Sequence, residues 1–513
     1  MKTILRAFSS LLHRLEPRRR PIARFLVVWF VVMGVAMAVL MPPFRSPDEV
    51  THSRLAASRL ARILHPQRDC APLADLGMSF FFPTYGQVPH GKFAAISKQP
   101  PTCAPHTKMY GGLLTYPGAV LSLLLFTSQT SDAPEFLRAF FIGRLLQGLF
   151  VGLILWRVAT LMLAKRTVGT LVILAFPLAG LAVQESFNIT ADGVVIAFAL
   201  MLCAAMTSLD RFRARDVVLF ALAGYGTSIA KPFLAPAILP ALFAGFVFMQ
   251  RSSQPRGLTA VVKEFLQLFV PRRRPSLLQV IVWVGTALCA ISAIATLGDF
   301  GSLPMRVDPA VQKAFLLANP RVFFFNLPKS VLRLIDNLDV FNGPLGILDV
   351  TVSPETVAHF RHLLYAVGIF ELMLIIPRFV PTLGTTSDCD KATMAPRSRP
   401  WLPVLAACLL LVGGAVAGFY GVIASLYLTW TSRGQLFLEG FQSRYAIPHV
   451  LLLLGIFAGC LSASLPPRDQ PEADSNQSGR FARIVYVAIA AVLFSLALLF
   501  LSGLYFDLEK RYF

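Results

Sequence analysis

The reading of the fold turns on Arg18-Arg19-Arg20-Pro21-Ile22-Ala23-Arg24, followed by the apolar run FLVVWFVVMGVAMAVLM over 25–41 and then Pro42-Pro43-Phe44. A helix that crosses a bilayer needs about 20 predominantly apolar residues. Lys and Arg beside such a span are retained on the cytoplasmic side, so the arginines ahead of this run place the N-terminus in the cytoplasm. The run exceeds a usual signal-peptide core, and prolines replace the small-residue cleavage site that would follow one. It reads as a permanent anchor.

Working outward, the same character repeats along all 513 residues, which are 55% hydrophobic and 14% charged, with a mean hydropathy of +0.64. Soluble domains carry about 25% charged residues. Water-soluble enzymes, disordered chains and secreted scaffolds are therefore excluded. The excess of 47 Lys and Arg over 27 Asp and Glu gives a formal charge of +20. Because it is concentrated in short segments flanking apolar runs, it is a topology signal and not a nucleic-acid footprint.

Apolar runs are expected to span at 25–42, 138–163, 168–184, 191–209, 216–230, 232–249, 277–297, 359–378, 401–430, 444–464 and 484–505. Basic segments at 165–166, 210–216, 251–274, 378–399 and 468–483 all fall on the cytoplasmic side if 113–126, which contains Pro117, is an interfacial or re-entrant helix. The expected class is an all-α polytopic membrane protein of about 11 transmembrane helices, with its C-terminus outside. A transmembrane module over 1–464 carries external loops 43–137, 298–358 and 431–443. Residues 465–513 form a cytoplasmic linker and the last helix.

Where the first span ends, Ser46-Pro47-Asp48-Glu49-Val50-Thr51-His52 has the residue types of a helix start: a cap, a first-turn proline and early carboxylates. Asp48 and His52, four apart, share a helical face, with Glu49 about 100° away. Such a group suits binding of a divalent cation or general-base catalysis on an acceptor hydroxyl. A second acid, Asp192, opens the span after the turn Gln184-Glu185-Ser186-Phe187-Asn188-Ile189-Thr190; there it competes with Thr190 for a capping role. Ionisable groups at such depth are costly without a partner or a task.

Cations are expected at the same external face: Arg144 in the second span, Lys231 in a turn before Pro232, and Arg433 and Arg444 before and at the tenth span. The topology rule disfavours positive charge there, and an anionic lipid phosphate is a partner that would hold it. Arg157 instead reads as snorkelling to cytoplasmic headgroups. In 298–358, Phe323-Phe324-Phe325 reads as an interfacial anchor. Cys203, Cys289, Cys408 and Cys460 read as small buried hydrophobes. Cys70 and Cys103 share the first external loop and are candidates for a disulfide if that side is oxidising.

Taken in order, Pro43 to His52, Tyr116-Pro117, Ser186 to Gly193, Lys231-Pro232 and Gly440-Phe441-Gln442-Ser443-Arg444-Tyr445 resemble a family of bacterial polytopic membrane proteins known as a domain of unknown function (DUF2142), grouped with GT-C glycosyltransferases. The resemblance runs from about 28 to 459. It implies a bacterial inner-membrane enzyme that transfers a sugar, with inversion, from a polyprenyl-phosphate donor to an envelope glycan, lipid or protein acceptor at the periplasmic face.

By that resemblance Asp48 and Glu49 are the catalytic acids, with Asp48 the base, and His52, Arg144, Lys231, Arg433 and Arg444 contact substrate or lipid phosphate. A divalent cation, Mg or Mn, would sit on Asp48, Glu49 and Asp192. The expected partners are the lipid-linked donor, membrane lipids and the acceptor, with no nucleic acid. A transporter or flippase of a lipid-linked envelope precursor is the alternative. It would show repeat symmetry and ionisable groups near the bilayer midplane, whereas here the acids gather at span ends.

Overall fold

The computed structural model describes residues 15, 18–41, 49, 52, 115–126, 133–231, 234, 237–249, 258–270, 274–276, 279–284, 286–287, 307–335, 341, 351–379, 401–464 and 477–512. Every regular element among them is helical. Among the described residues seven helices are long and apolar enough to cross a membrane: Arg19–Leu40, Arg138–Ala164, Ala191–Arg211, Pro354–Leu374, Leu405–Thr429, Ser443–Ser462 and Ile484–Lys510. The chain is a multi-pass helical membrane protein.

The helices are α1 (Arg19–Leu40), α2 (Pro117–Phe126), α3 (Ala133–Ala164), α4 (Thr170–Ala175), α5 (Gly180–Ser186), α6 (Ala191–Ser208), α7 (Ala214–Ala230), α8 (Ile238–Met249), α9 (Leu258–Gln267), α10 (Pro309–Ala318), α11 (Leu327–Ile335), α12 (Pro354–Phe379), α13 (Trp401–Thr429), α14 (Ile447–Ser464) and α15 (Gln477–Tyr512). The expected run 168–184 is broken into α4, a 3₁₀ turn Phe176–Leu178 and α5, because Pro177 lacks the N–H a continuous helix would use. Within the expected run 232–249 the described helix is α8, whose 12 residues follow Pro232 and Pro236 in sequence. Most of 277–297 lies outside the described residues. The ten-residue α2 is about 15 Å long, half a bilayer core, and packs along α3 as a helix too short to span.

At the centre stands α6, enclosed by α3, α5, α7, α8 and α14. Nearly all of it is buried, as its uniformly apolar sequence requires: a helix hydrophobic all round has no solvent face. Close approach is built from small residues. A Cβ on Gly118 would strike the α3 backbone at Gly143 and Gln147, and one on Gly245 would strike the Ala205 carbonyl.

Long-range polar contacts tie the helix ends. At the end where α1 begins, Arg19 donates to the Thr167 carbonyl (2.6 Å) and to both oxygens of Glu371 on α12 (2.8 and 3.0 Å), and Glu371 also accepts from the Leu171 N–H (2.7 Å). Arg157 makes a two-pronged pair with Asp216, which accepts in turn from the Arg213 N–H (2.7 Å). The snorkelling expected of Arg157 is thus replaced by an internal partner. At the opposite end Asp507 of α15 accepts from the Ser353 N–H (3.0 Å) and the Thr356 hydroxyl (2.9 Å) at the start of α12. Among the cysteines, Cys203 donates to the Leu451 carbonyl (3.1 Å), and Cys408 and Cys460 bring their sulfurs within 2.6 Å between α13 and α14, a pairing that reading them singly missed.

Candidate functional site

The end where α1 finishes gathers most of the polar residues singled out in the sequence. Arg144, the twelfth residue of α3, is about 16 Å along that helix and fully enclosed. Its Nη1 donates to the Ala38 (3.1 Å) and Met41 (2.6 Å) carbonyls at the end of α1, where a helix leaves acceptors without intrahelical partners. Its Nε and Nη2 meet the Glu49 oxygens at 2.9 and 2.7 Å, and the guanidinium lies over the Phe140 ring at 4.7 Å. Glu49 is equally enclosed, and its Oε1 also accepts from the Ile189 N–H (3.1 Å). Glu49 therefore pins the entry of the first loop to both α3 and the turn before α6. Arg144 has its donors turned inward, onto protein carbonyls and Glu49.

That turn, 187–190, is anchored by Phe187. Its ring sits between Gly34 of α1 and Gly148 of α3, where a Cβ on either glycine would overlap it. Thr190 is the cap residue of α6, yet its hydroxyl donates to the Glu185 carbonyl (3.0 Å) instead of capping. Asp192 does not cap either: it takes Lys231 and Arg444 as partners. Asn188 is buried, so the Asn188-Ile189-Thr190 triplet is not presented for modification.

Around Asp192 the second half of the cluster forms. Lys231, ending α7, places its Nζ against Asp192 Oδ1 and over the Tyr445 ring at 4.4 Å. Arg444, in the 3₁₀ turn Ser443–Tyr445 ahead of α14, approaches Asp192 Oδ2 with Nε (3.4 Å) and Glu185 Oε1 with Nη1 (3.2 Å). His52 is hydrogen-bonded through Nδ1 to the buried Tyr116 hydroxyl (2.6 Å) and lies within electrostatic reach of Asp192.

Glu185 lies at the end of α5, next to the turn and outside the seven candidate spans, fully buried, and its Oε2 has no hydrogen-bond partner among the described residues. Burial pushes its carboxyl up to about 7, against the opposing pull of Arg444; Asp192 adds to the rise, while the Thr190 hydrogen bond and Lys231 counter it. The cluster thus holds three acids, Glu49, Glu185 and Asp192, and three cations, Arg144, Lys231 and Arg444. Protonating Glu185 leaves it one positive charge in excess.

Of the residues singled out earlier, Glu49, His52, Arg144, Asp192, Lys231 and Arg444 come together here. Arg433 is exposed on the loop after α13 and takes no part. Asp48, Cys70 and Cys103 lie outside the described residues. Glu185, Tyr116 and Tyr445 were missed as site residues. For Glu185 a signal existed, since an acid in a tight turn between apolar runs needs a partner. Among the described residues no group of three or more His, Cys, Asp or Glu is placed to hold a metal. Glu49 and Asp192 already direct their oxygens at cations.

Compared with family models, with curated proteins and with solved structures, the chain matches none. The cluster's chemistry must therefore speak from its own geometry. Lys231 and Arg444 share one carboxylate and can exchange it for another anion, whereas Arg144 would have to release backbone carbonyls and an enclosed carboxylate to do so.

Proposed function

We infer that the chain is a membrane glycosyltransferase that moves a sugar from a polyprenyl-phosphate donor to an envelope glycan, lipid or protein acceptor on the periplasmic face of a bacterial inner membrane. In this reading eleven spans cross with the N-terminus cytoplasmic, and the end carrying the cluster faces outward. The observation that carries it is the sharing of Asp192 by Lys231 and Arg444. A cation pair held on one carboxylate can take up a phosphate that arrives with a lipid tail, and charge-assisted bonds to phosphate are strong. The lipid-linked donor brings its own leaving group, so the protein's work is positioning, proton removal and stabilisation of phosphate charge.

Roles follow from the contacts. Lys231 and Arg444 meet the phosphate, His52 and Tyr116 orient the acceptor beside them, and Asp48, one residue from the anchored Glu49, is the proposed base. Glu49 and Arg144 hold the framework on which Asp48 is mounted. The two described acids proposed for a Mg or Mn ion, Glu49 and Asp192, are both engaged with cations, a poor fit for a metal. No step is routed through one.

The test is transfer of radiolabelled sugar from polyprenyl-phosphate donors in proteoliposomes. Wild-type protein should transfer, and Lys231→Met should lose about two orders of magnitude while keeping its unfolding midpoint within a few degrees. Protein that moves the carrier across the bilayer and never transfers sugar would overturn the enzyme reading in favour of a flippase.

A further inference from the structure

The segment 307–335 has a face the cluster does not use. Val322, Leu327 and Val331 pack onto Ile423 and Tyr427 of α13 and onto Leu438, while the Gln312 amide donates to the Tyr427 carbonyl (3.2 Å) and to that of Thr431. Among the described residues nothing covers the opposite face: Phe324, Phe325 and Leu332 are 54%, 68% and 55% exposed. A groove of about 930 Å³ runs along it, lined by these three and by Arg321, Lys329 and Arg333. None of the three cations has an ion-pair partner among the described residues. Between Pro309 and Ile335 the sequence carries Lys313, Arg321, Lys329 and Arg333 and no acid; Asp336 and Asp339 follow it, and Asp308 ahead of it is occupied in capping α10 through the Ala310 N–H (2.8 Å).

Depth fixes what covers this face. The Phe324 carbonyl accepts from the Tyr420 hydroxyl (2.9 Å), and Tyr420 precedes the end of α13 by nine residues, about 13 Å. The 29 residues of α13 run about 43 Å, so centring that helix on a ~30 Å core leaves an overhang of about 7 Å and puts Tyr420 some 6 Å below the boundary. A helix lying in the interface buries its apolar face to roughly 5–10 Å. A second copy of the chain is a poor occupant, because an isologous contact would set three cations against the same three. The aromatic residues suit acyl chains and the cations suit phosphate oxygens.

We propose that 309–335 is an interfacial arm that binds anionic phospholipid of the leaflet next to the cluster, with Phe324, Phe325 and Leu332 among the acyl chains and Arg321, Lys329 and Arg333 on the headgroup phosphates. It rests on the membrane reading of the chain and not on the transferase reading. Anionic lipid also accounts for cations in an external segment where the topology rule disfavours them.

The test is native mass spectrometry of the full chain released from detergent micelles containing phosphatidylglycerol or phosphatidylcholine. Wild-type protein is expected to retain the anionic lipid preferentially. Arg321→Gln/Lys329→Gln/Arg333→Gln should reduce that preference roughly tenfold or more, and Phe324→Ser/Phe325→Ser should weaken retention of both lipids. The substituted side chains are exposed, so unchanged unfolding midpoints serve as the folding control. An unchanged preference in the triple variant overturns the proposal. So does a chain dimer lost in the same variants, which would make the face a protein interface, or displacement of phosphatidylglycerol by equimolar polyprenyl phosphate, which would make the groove a donor site.

Discussion

The two ends of the bundle are both stapled by buried ion pairs, but they are built differently. At the end where α1 begins, three described acids each meet one cation: Glu371 has Arg19, Asp216 has Arg157, and Asp210 has Lys165. Each of the first two carboxylates also accepts a backbone N–H, and together they fix α12, α7 and the turn before α4. At the other end one carboxylate serves two cations, one carboxyl leaves an oxygen unpaired, and two tyrosines and a histidine lie among them. Private pairs hold helices in register. A shared network with an unsatisfied member can be rearranged by something that arrives, which is why the functional reading attaches to that end.

Within the cluster a similar contrast recurs between Arg144–Glu49, one cation on one acid among the described residues, and Lys231–Asp192–Arg444, a shared set. The largest expected effect tests it. Arg144→Met leaves the enclosed Glu49 carboxylate with only the Ile189 N–H and strips the Ala38 and Met41 carbonyls of their donor. Breaking a buried pair by removing one partner costs about 3–5 kcal/mol, so the unfolding midpoint in detergent should fall sharply. Adding Glu49→Gln should cost less than the sum of the single changes. Lys231→Met leaves Asp192 with Arg444 and should be milder. Equal losses from Arg144→Met and Lys231→Met would erase the distinction.

How much of this was legible along the chain depends on the range of the interaction. The first span was plain from its apolar run and basic flank; the structure extends it back to Arg19 because that side chain finds Glu371, 352 residues away, and no local pattern announces such a pairing. Lys231 and Arg444 stood out because external cations are anomalous, and both are in the cluster. Glu49 stood out as well, on the spacing of a helix start, but spacing cannot tell a carboxylate that faces substrate from one clamped by Arg144. Pro177 was not weighed, and the run 168–184 expected to be continuous is broken there. The amphipathic arm was recognised only by its three phenylalanines, since which face of 322–335 is covered depends on α13, nearly a hundred residues later.

A smaller effect tests whether the turn next to Glu185 is held by shape or by charge. Phe187 fits between Gly34 and Gly148, and Gly148→Ala would drive a methyl group into the ring. Overpacking of this kind costs about 1–3 kcal/mol. The added Cβ cannot move with its helix backbone, so the ring must give way and carry the turn with it. Gly148→Ala/Phe187→Leu should recover part of the lost midpoint, because the smaller side chain vacates the space. No recovery would mean that charge alone holds the turn, and the shared network would then be more rigid than the comparison allows.

A further test is the pH response of Glu185, whose sign follows from its burial. Its carboxyl is raised by burial from the ordinary 4.5 to about 7, with Arg444, the Thr190 hydroxyl and Lys231 opposing and Asp192 reinforcing the rise. Between those values the folded chain holds a proton that the unfolded chain has released. The stabilisation is therefore fully present below about 4.5 and is lost as pH rises through about 7. The midpoint of wild-type protein should drop between pH 5 and pH 8, and Glu185→Gln, which cannot ionise, should flatten that slope. Parallel slopes for wild type and Glu185→Gln would show that the unpaired oxygen is satisfied without a proton, and the cluster would lose the extra positive charge that protonation of Glu185 provides for an incoming phosphate.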